Sequence, residues 1–270
     1  MKKNIEELGF QKYTYQQDVK ANTRKRKNII ILSLESFERG YLSEEMSHLT
    51  PNLRALKANP EWQYLDIEEN EGSKWTSGSL YTTLTGLPAF FGSEHNSLFQ
   101  NLFESKIPSL FNVLKKTGTK SIYLVENASF SGTSRMLNAL GVDVVIDQNI
   151  LSKIEVQDKD LFEHAKSIFQ NNKKTNENIC LYLSTLSTHN PNGIYDVRME
   201  NVLPAQKSDI EFMASAVDFM IKDFIDFLIK ENMYDNTIIY IFPDHLKHGS
   251  SKLFWYTHKK CYNFRQLVYF

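Results

Sequence analysis

The predicted fold depends most on one stretch, NIIILSLES at residues 28–36. Its apolar part is short and rich in β-branched residues, a pattern typical of a central strand buried on both faces of a parallel sheet. The stretch ends at a carboxylate, and functional side chains of open α/β sheets gather at the carboxyl ends of their strands. Glu35 is therefore a candidate site residue. An ordinary surface glutamate in the loop after a strand would give the same local pattern.

Two further apolar stretches predict buried strands, at residues 179–186 and 236–242. The first leads into a loop that contains His189, and the second stops just before Asp244 and His245. If the strands run parallel, their carboxyl ends share one edge of the sheet. We therefore expect Glu35, His189, Asp244 and His245 to lie near one another.

The remaining elements alternate between helices and strands. Helical patterns cover residues 79–84, 108–116, 131–140, 159–171 and 208–231, and another helix begins near Thr50 and Pro51. Shorter strand patterns cover residues 62–68, 121–125 and 142–146. This alternation predicts an α/β fold, with a mostly parallel central sheet and helices on both faces.

The composition suits one large domain. The chain has 270 residues, of which 41% are hydrophobic, and its formal net charge of −1 gives no sign of a nucleic-acid partner. We divide it into a polar and basic lead-in (residues 1–27), a catalytic domain (28–250) and an atypical short tail (251–270). The basic cluster of the lead-in is expected to be solvated, although it could also touch anionic lipid. The aromatic end of the tail, at 262–270, could be an edge strand or the product of a C-terminal truncation or frameshift.

No stretch of about 18 apolar residues is present, and the first residues lack the apolar core of a signal peptide. The expectation from these features is a soluble chain without an export signal.

A second informative stretch is EGSKWTSGSL at residues 71–80, which is rich in hydroxyl groups and precedes a predicted helix. Hydroxyls at the start of a helix lie beside unpaired N–H groups and the positive end of the helix dipole, where a phosphate ester would be attracted. Thr76 is our candidate nucleophile. The alternative is that Thr76, Ser77 and Ser79 only cap the helix.

Carboxylate, imidazole and hydroxyl groups at one sheet edge indicate a metal site. Such ligands suit Mn²⁺, Mg²⁺ or Zn²⁺, and the absence of thiolates argues against a structural zinc site. A divalent cation in contact with Thr76 would lower the pKa of its hydroxyl and would neutralise charge on a phosphoryl group.

Six motifs in chain order carry a family resemblance: LESFER (34–39), LTPNLRALK (49–57), WT (75–76), GLP (86–88), THNPNG (188–193) and DHL (244–246). The chain resembles the sulfatase/alkaline-phosphatase superfamily over roughly residues 27–250. Within it, the chain is most similar to the phosphoglycerol transferases that modify periplasmic glucans, and more distantly to the lipoteichoic acid synthases.

The resemblance implies a role for each matching residue. Glu35, Asp244 and His245 would bind one divalent cation, usually Mn²⁺, and Thr76 would be both a ligand and the nucleophile. His189 would bind the substrate phosphate or assist the leaving group. Trp75 and Asn190 are the other substrate-binding candidates.

The resemblance also implies partners and a location. The donor would be a phospholipid or another phosphodiester, and the acceptor a saccharide of the cell envelope. The reaction would take place on the periplasmic side of the inner membrane, where related proteins are anchored by transmembrane helices. Association of this chain with the membrane would require a membrane segment that is missing from this sequence or encoded separately.

Some features depart from the resembling families. Thr76 is not followed by the x-Pro-x-Arg pattern of formylglycine sulfatases. Glu126 and Asn127 stand where lipoteichoic acid synthases carry a substrate-binding histidine, which makes lipoteichoic acid polymerisation doubtful. His248 and His258 are expected to be exposed rather than ligands.

Two alternative functions stay open. The first is a phosphodiesterase of the same superfamily, with water as the acceptor. The second is a truncated, non-catalytic remnant that binds a glycan or a membrane partner.

Overall fold

The computed structural model describes residues 27–67, 72–89, 105–153, 155–175, 177–246 and 264–269. The expectations for residues 1–26 of the lead-in, for His248 and His258, and for positions 247–263 lie outside the described residues. Within the described ranges, no helix combines the length and the apolar character that crossing a bilayer requires.

Seven strands are present in the described part of the chain: β1 (Asn28–Leu34), β2 (Trp62–Ile67), β3 (Lys120–Leu124), β4 (Val144–Ile146), β5 (Ile179–Ser184), β6 (Thr237–Pro243) and β7 (Phe264–Tyr269). The α-helices among these residues are α1 (Pro51–Ala58), α2 (Thr76–Thr85), α3 (Leu110–Lys116), α4 (Thr133–Ala139), α5 (Gln148–Leu151), α6 (Asp158–Thr175) and α7 (Asp209–Lys230). Short 3-10 helices occupy Arg39–Leu42, Phe130–Gly132, Val197–Met199 and Tyr234–Asn236.

The strands form one sheet in the order β2-β7-β6-β1-β5-β3-β4. The five strands from β6 to β4 are parallel, with β1 between β6 and β5. β7 is antiparallel to both of its neighbours, β6 and β2. The predicted fold class, a mostly parallel sheet with helices, is confirmed.

Alternate side chains of β1 face two separate hydrophobic cores, which places helices on both faces of the sheet. Ile30, Leu32 and Leu34 belong to one core, and Ile31 belongs to the other. The first core contains residues of α1, α6 and α7, such as Leu53, Phe162, Phe169 and Phe224. The second contains residues of α2, α3 and α4, such as Leu80, Phe111 and Met136. The continuous apolar run of β1 follows from this burial on both sides.

Helix α2 begins earlier than predicted. The sequence pattern placed its start at residue 79, but the helix starts at Thr76 and includes Gly78. A Cβ atom at residue 78 would lie 2.1 Å from the carbonyl oxygen of Gly72 and 2.8 Å from Nε1 of Trp75. Gly78 is therefore in the helix because the first turn packs closely against the preceding loop, although glycine disfavours helices.

The strand near the C-terminus also differs from its prediction. Residues 262–270 were expected to form an edge strand, if any. Phe264–Tyr269 instead lies inside the sheet, between β6 and β2, and β2 forms that edge. Apolar composition predicts a strand, but the position of the strand depends on pairings with residues far away in the chain.

A carboxylate of α7 caps the start of α1. Asp218 is 1% exposed and accepts hydrogen bonds from the backbone N–H groups of Asn52 (3.1 Å) and Leu53 (2.7 Å), and from the Asn52 side chain (2.8 Å). Thr50, the N-cap residue, makes no side-chain capping bond, and its hydroxyl donates to the carbonyl oxygen of Tyr41 instead. The LTPNL motif is thus explained by the attachment of α1 to α7.

We expect Asp218→Ala to lower the free energy of unfolding by about 1–3 kcal/mol, because buried helix N–H groups lose their acceptor. Asp226→Ala is the matched control on the same helix. Asp226 is exposed and pairs with Lys222 one turn away, so its removal should cost less than about 0.5 kcal/mol. Urea denaturation of the three proteins measures the difference. Equal stabilities for the two variants would contradict the capping role.

Candidate active site

The register of the sheet brings Glu35 and Asp244 together. Leu34 at the end of β1 pairs with Pro243 at the end of β6, and the two carboxylate residues follow directly. The backbone N–H of Asp244 donates to the carbonyl oxygen of Leu34 at 3.0 Å. The two chains therefore leave the sheet side by side.

Both carboxylates and the neighbouring imidazole are buried. Glu35 is 4% exposed, Asp244 is 7% exposed and His245 is 4% exposed. One ligand atom from each of the three lies within 4.8 Å of the others. The alternative that Glu35 is an ordinary surface residue is therefore wrong.

The His245 ring faces the carboxylates through one nitrogen. Its Nδ1 lies 2.8 Å from the carbonyl oxygen of Leu246, a contact in which Nδ1–H donates. Nε2 is the ring nitrogen that faces the carboxylates, and it lies 3.3 Å from Asp244 Oδ2 and 3.7 Å from Glu35 Oε1. In the neutral form of the ring, Nε2 carries the lone pair. Three hydrogen-bond acceptors thus face a common point.

The electrostatics of this arrangement are unfavourable without a positive charge. Burial, together with the charge of Glu35, raises the pKa of Asp244 well above its ordinary value. A buried pair of carboxylates is stable only when a proton or a cation lies between them.

Thr76 completes the group from the other side. Its hydroxyl lies 3.4 Å from Glu35 Oε2 and 3.3 Å from His245 Nε2. It is the first residue of α2 and is half-buried, less buried than Glu35, Asp244 and His245.

None of the three hydroxyl residues Thr76, Ser77 and Ser79 occupies the N-cap position of α2. Trp75 is the N-cap residue, and its side chain forms no capping bond. The Ser79 hydroxyl donates to the carbonyl oxygen of Asp244 instead, which ties the helix to the end of β6. Ser77 is buried within the first turn.

The three substrate-binding candidates differ in exposure. His189 is exposed in the loop after β5, Asn190 is half-buried beside it, and Trp75 is half-buried with its indole packed against Gly78. Among the described residues, His189 is not part of the close cluster that Glu35, Asp244 and His245 form.

The loop that carries His189 is nevertheless fixed to the group. The Thr188 hydroxyl donates to the carbonyl oxygen of Glu35. On the far side of the loop, Asp158 accepts the backbone N–H groups of Leu186 (2.7 Å) and Ser187 (2.9 Å). Burial raises the pKa of Asp158 to about 6. His189 is therefore held by a neighbour that contacts a candidate ligand.

The residues present fit a divalent cation. Two carboxylates, an imidazole nitrogen and a hydroxyl are the donor types that Mn²⁺, Mg²⁺ and Zn²⁺ accept in proteins. The groups are close together and largely buried, and a cation would compensate the repulsion between the two carboxylates. Glu35, Thr76, Asp244 and His245 could hold it.

Sequence reasoning missed a set of hydroxyls that support these residues. Ser36 donates to Glu35 Oε1 at 2.7 Å, and Thr185 accepts the backbone N–H of Glu35 at 2.9 Å. Ser79 and Thr188 add the bonds described above. Ser36 and Thr188 adjoin predicted site residues in the sequence, but the sequence around a serine or threonine gives no signal of its hydrogen-bond partner.

The sequence is similar to those of proteins named phosphoglycerol transferase I and lipoteichoic acid synthase. The chain is 30% identical over 239 residues to phosphoglycerol transferase I of Xanthomonas euvesicatoria pv. vesicatoria, which covers 82% of this chain and 34% of the relative. It is 24% identical over 256 residues to the lipoteichoic acid synthase of Staphylococcus saprophyticus, covering 86% of this chain and 38% of that protein. The chain thus spans about a third of the length of the curated relatives it matches.

Solved structures show the same fold. The lipoteichoic acid synthase LtaP from Listeria monocytogenes superposes with a TM-score of 0.75 at 20% identity, covering 91% of this chain and 65% of that one. The phosphoglycerol transferase GacH of Streptococcus pyogenes, in complex with sn-glycerol-1-phosphate, gives a TM-score of 0.61 at 17% identity, covering 98% and 72%. At these identities the likeness concerns the fold alone.

The family model described as Sulfatase matches residues 27–266, nearly the whole described region. The matched residues include the two buried carboxylates Glu35 and Asp244, the imidazole of His245, and Thr76 at the start of α2. The chain belongs to the sulfatase family.

Proposed function

We propose that this chain is the catalytic part of a metal-dependent phosphotransferase of the cell envelope. It transfers a phosphoglycerol-type head group from a phospholipid donor, through Thr76, to a saccharide acceptor. The names of the relatives support this reaction class, since they include phosphoglycerol transferase I and a lipoteichoic acid synthase. The proposed location of the reaction is the periplasmic side of the inner membrane.

One observation carries the proposal. Thr76 is half-buried and its hydroxyl contacts both Glu35 (3.4 Å) and His245 (3.3 Å), while the other members of the group are buried. A hydroxyl in this position can attack a substrate and can be activated by the groups that it contacts, Glu35 and His245. Its place at the start of the ten-residue helix α2 adds N–H groups that favour a phosphate oxygen.

Glu35, Thr76, Asp244 and His245 would hold one divalent cation, Mn²⁺ in our proposal, with Zn²⁺ and Mg²⁺ as alternatives. When bound, the cation would stabilise charge on the phosphoryl oxygens and lower the pKa of the threonine hydroxyl.

In the first step, Thr76 Oγ1 forms a bond to phosphorus while the bond from phosphorus to the diacylglycerol oxygen breaks. The threonine proton passes to solvent, and a protonated His189 gives its proton to the departing oxygen. The head group is then linked to Thr76 as a phosphodiester. The exposed position of His189, in a loop anchored through Thr188 and Asp158, suits this role.

In the second step, neutral His189 takes the proton of an acceptor hydroxyl as that oxygen attacks phosphorus. The bond to Thr76 Oγ1 breaks, and the threonine oxygen regains a proton from solvent. Trp75 and Asn190 would contact the donor head group or the sugar. Aromatic rings such as that of Trp75 provide an apolar surface with a polar N–H.

A phosphodiesterase is the alternative that uses the same residues, since it differs only in the attacking group. A non-catalytic remnant fits less well. Two buried carboxylates and a facing imidazole cost stability, and a protein without metal chemistry has no use for them. A chain that binds no Mn²⁺ or Zn²⁺, and whose Glu35→Ala and Asp244→Ala variants melt unchanged with or without metal, would favour the remnant.

We expect Thr76→Ala to lower Mn²⁺-dependent hydrolysis of bis-p-nitrophenyl phosphate by about a thousand-fold or more, because the nucleophile is lost. Thr85→Ala is the matched control. Thr85 lies at the other end of α2, and its hydroxyl bonds to backbone groups of that helix end, so activity should be unchanged. Activity retained in folded, metal-loaded Thr76→Ala would contradict the assignment.

We expect His189→Ala to separate two kinds of substrate. A p-nitrophenolate leaves without protonation, so the burst of p-nitrophenolate in the first turnover, which precedes the base role of His189, should change little. Release of diacylglycerol from a phosphatidylglycerol vesicle needs an acid, and kcat/KM should fall by about a hundred-fold or more. His48→Ala, at an exposed position, is the control. Equal losses on both substrates would contradict the role as an acid.

Product analysis separates transferase from hydrolase. With a vesicle of labelled phosphatidylglycerol and an excess of a glucan acceptor, we expect the label on the glucan. Free glycerol phosphate with no labelled glucan would support the phosphodiesterase instead.

A further inference from the structure

We propose, building on the metal site of the proposed function, that Ser36 is a positioning residue for the cation. It fixes the rotation of both candidate carboxylate ligands, and its unusual backbone conformation is kept for that purpose. Neither the sequence motifs nor the named relatives assign a role to this serine.

The contacts of Ser36 reach both carboxylates at once. Its hydroxyl donates to Glu35 Oε1 at 2.7 Å, and its backbone N–H donates to Asp244 Oδ1 at 2.9 Å. Asp244 Oδ1 also accepts the backbone N–H of His245 at 2.7 Å. One oxygen of each carboxylate is thereby held by a serine from the end of β1.

The second oxygen of each carboxylate points at the rest of the group. Glu35 Oε2 lies 3.4 Å from the Thr76 hydroxyl, and Asp244 Oδ2 lies 3.3 Å from His245 Nε2. For Asp244, Ser36 holds one oxygen and the other faces His245. For Glu35, the oxygen held by Ser36 also lies 3.7 Å from His245 Nε2, and the other oxygen faces Thr76. Hydrogen bonds of this kind orient metal ligands and tune their affinity.

The backbone of Ser36 lies in the left-handed region, with φ at +47°. Glycine adopts this conformation without steric cost, and residues with a side chain rarely do so. Ser36 is 3% exposed, so its hydroxyl has no role towards solvent. The left-handed turn aims the N–H at Asp244, and the hydroxyl is needed for Glu35. Only a residue with both groups meets the two demands, and uncommon backbone conformations of this kind concentrate at functional sites.

Ser152 provides a comparison within the same chain. It has φ at +54° but is exposed at the end of helix α5. There the left-handed conformation ends a helix, which is its ordinary use. Ser36 and Ser152 therefore share the backbone conformation and differ in surroundings.

The test substitutes glycine at both positions of the full chain. Isothermal titration with Mn²⁺ gives the dissociation constant, and thermal melting without metal gives the stability of the fold. We expect Ser36→Gly to fold and to melt near the wild-type temperature, because relief of the left-handed strain offsets the lost hydrogen bond to Glu35. We also expect its Kd for Mn²⁺ to rise by about 10- to 100-fold, because Glu35 loses its hydroxyl partner. Ser152→Gly should melt at or above the wild-type temperature with an unchanged Kd, because the same strain is relieved at an exposed position away from the carboxylates.

A spectroscopic measurement adds a signature that fold stability does not move. The EPR spectrum of bound Mn²⁺ depends on the symmetry of its ligands, so it should differ between wild type and Ser36→Gly and match between wild type and Ser152→Gly.

Each other outcome is decisive. Wild-type Kd and EPR spectrum in Ser36→Gly would overturn the positioning role and leave the metal site intact. A Ser36→Gly variant that fails to fold would show that the hydroxyl serves the fold, which also overturns it. A wild-type chain that binds no Mn²⁺ would instead overturn the proposed function itself.

Discussion

The site depends on two carboxylates that are buried side by side and need a compensating positive charge. The carboxylates of Glu35 and Asp244 lie together at the end of two central strands, with the lone pair of His245 turned towards them. In a low-dielectric interior such an arrangement is costly unless a positive charge compensates it. The hydroxyls of the surrounding loops donate to these groups or to their backbone, which lowers the cost and fixes the geometry.

The sheet explains why these groups meet at one point. β1 lies between β5 and β6, and all three are parallel, so their carboxyl ends meet. Thr76 reaches the same point from a different direction, because α2 starts there and Ser79 ties its first turn to Asp244. The rigid sheet thus sets the carboxylates and the imidazole, and a helix start adds the hydroxyl that substrate can reach. A site built on such elements is better held than one built on loops alone.

Much of this was predictable from the sequence, for physical reasons. A β-branched apolar run such as that of β1 can be satisfied only by burial on both sides, so the central strand and the residue at its end were identifiable. Parallel order then brought Glu35 and Asp244 to one edge. The start of α2 was not predictable, because glycine and serine have low helix propensity and the reason for Gly78 is a close approach to Gly72 and Trp75. The place of β7 inside the sheet depends on pairings across nearly the whole chain. The role of Ser36 depends on its positive φ angle, which the amino-acid sequence does not reveal.

One cation is proposed to lie between Glu35, Thr76, Asp244 and His245. X-ray diffraction from crystals grown with Mn²⁺, recorded on both sides of the manganese absorption edge, would locate it. We expect one strong anomalous peak enclosed by these four side chains. An ordered manganese peak elsewhere in the molecule, with none at the ends of β1 and β6, would contradict it.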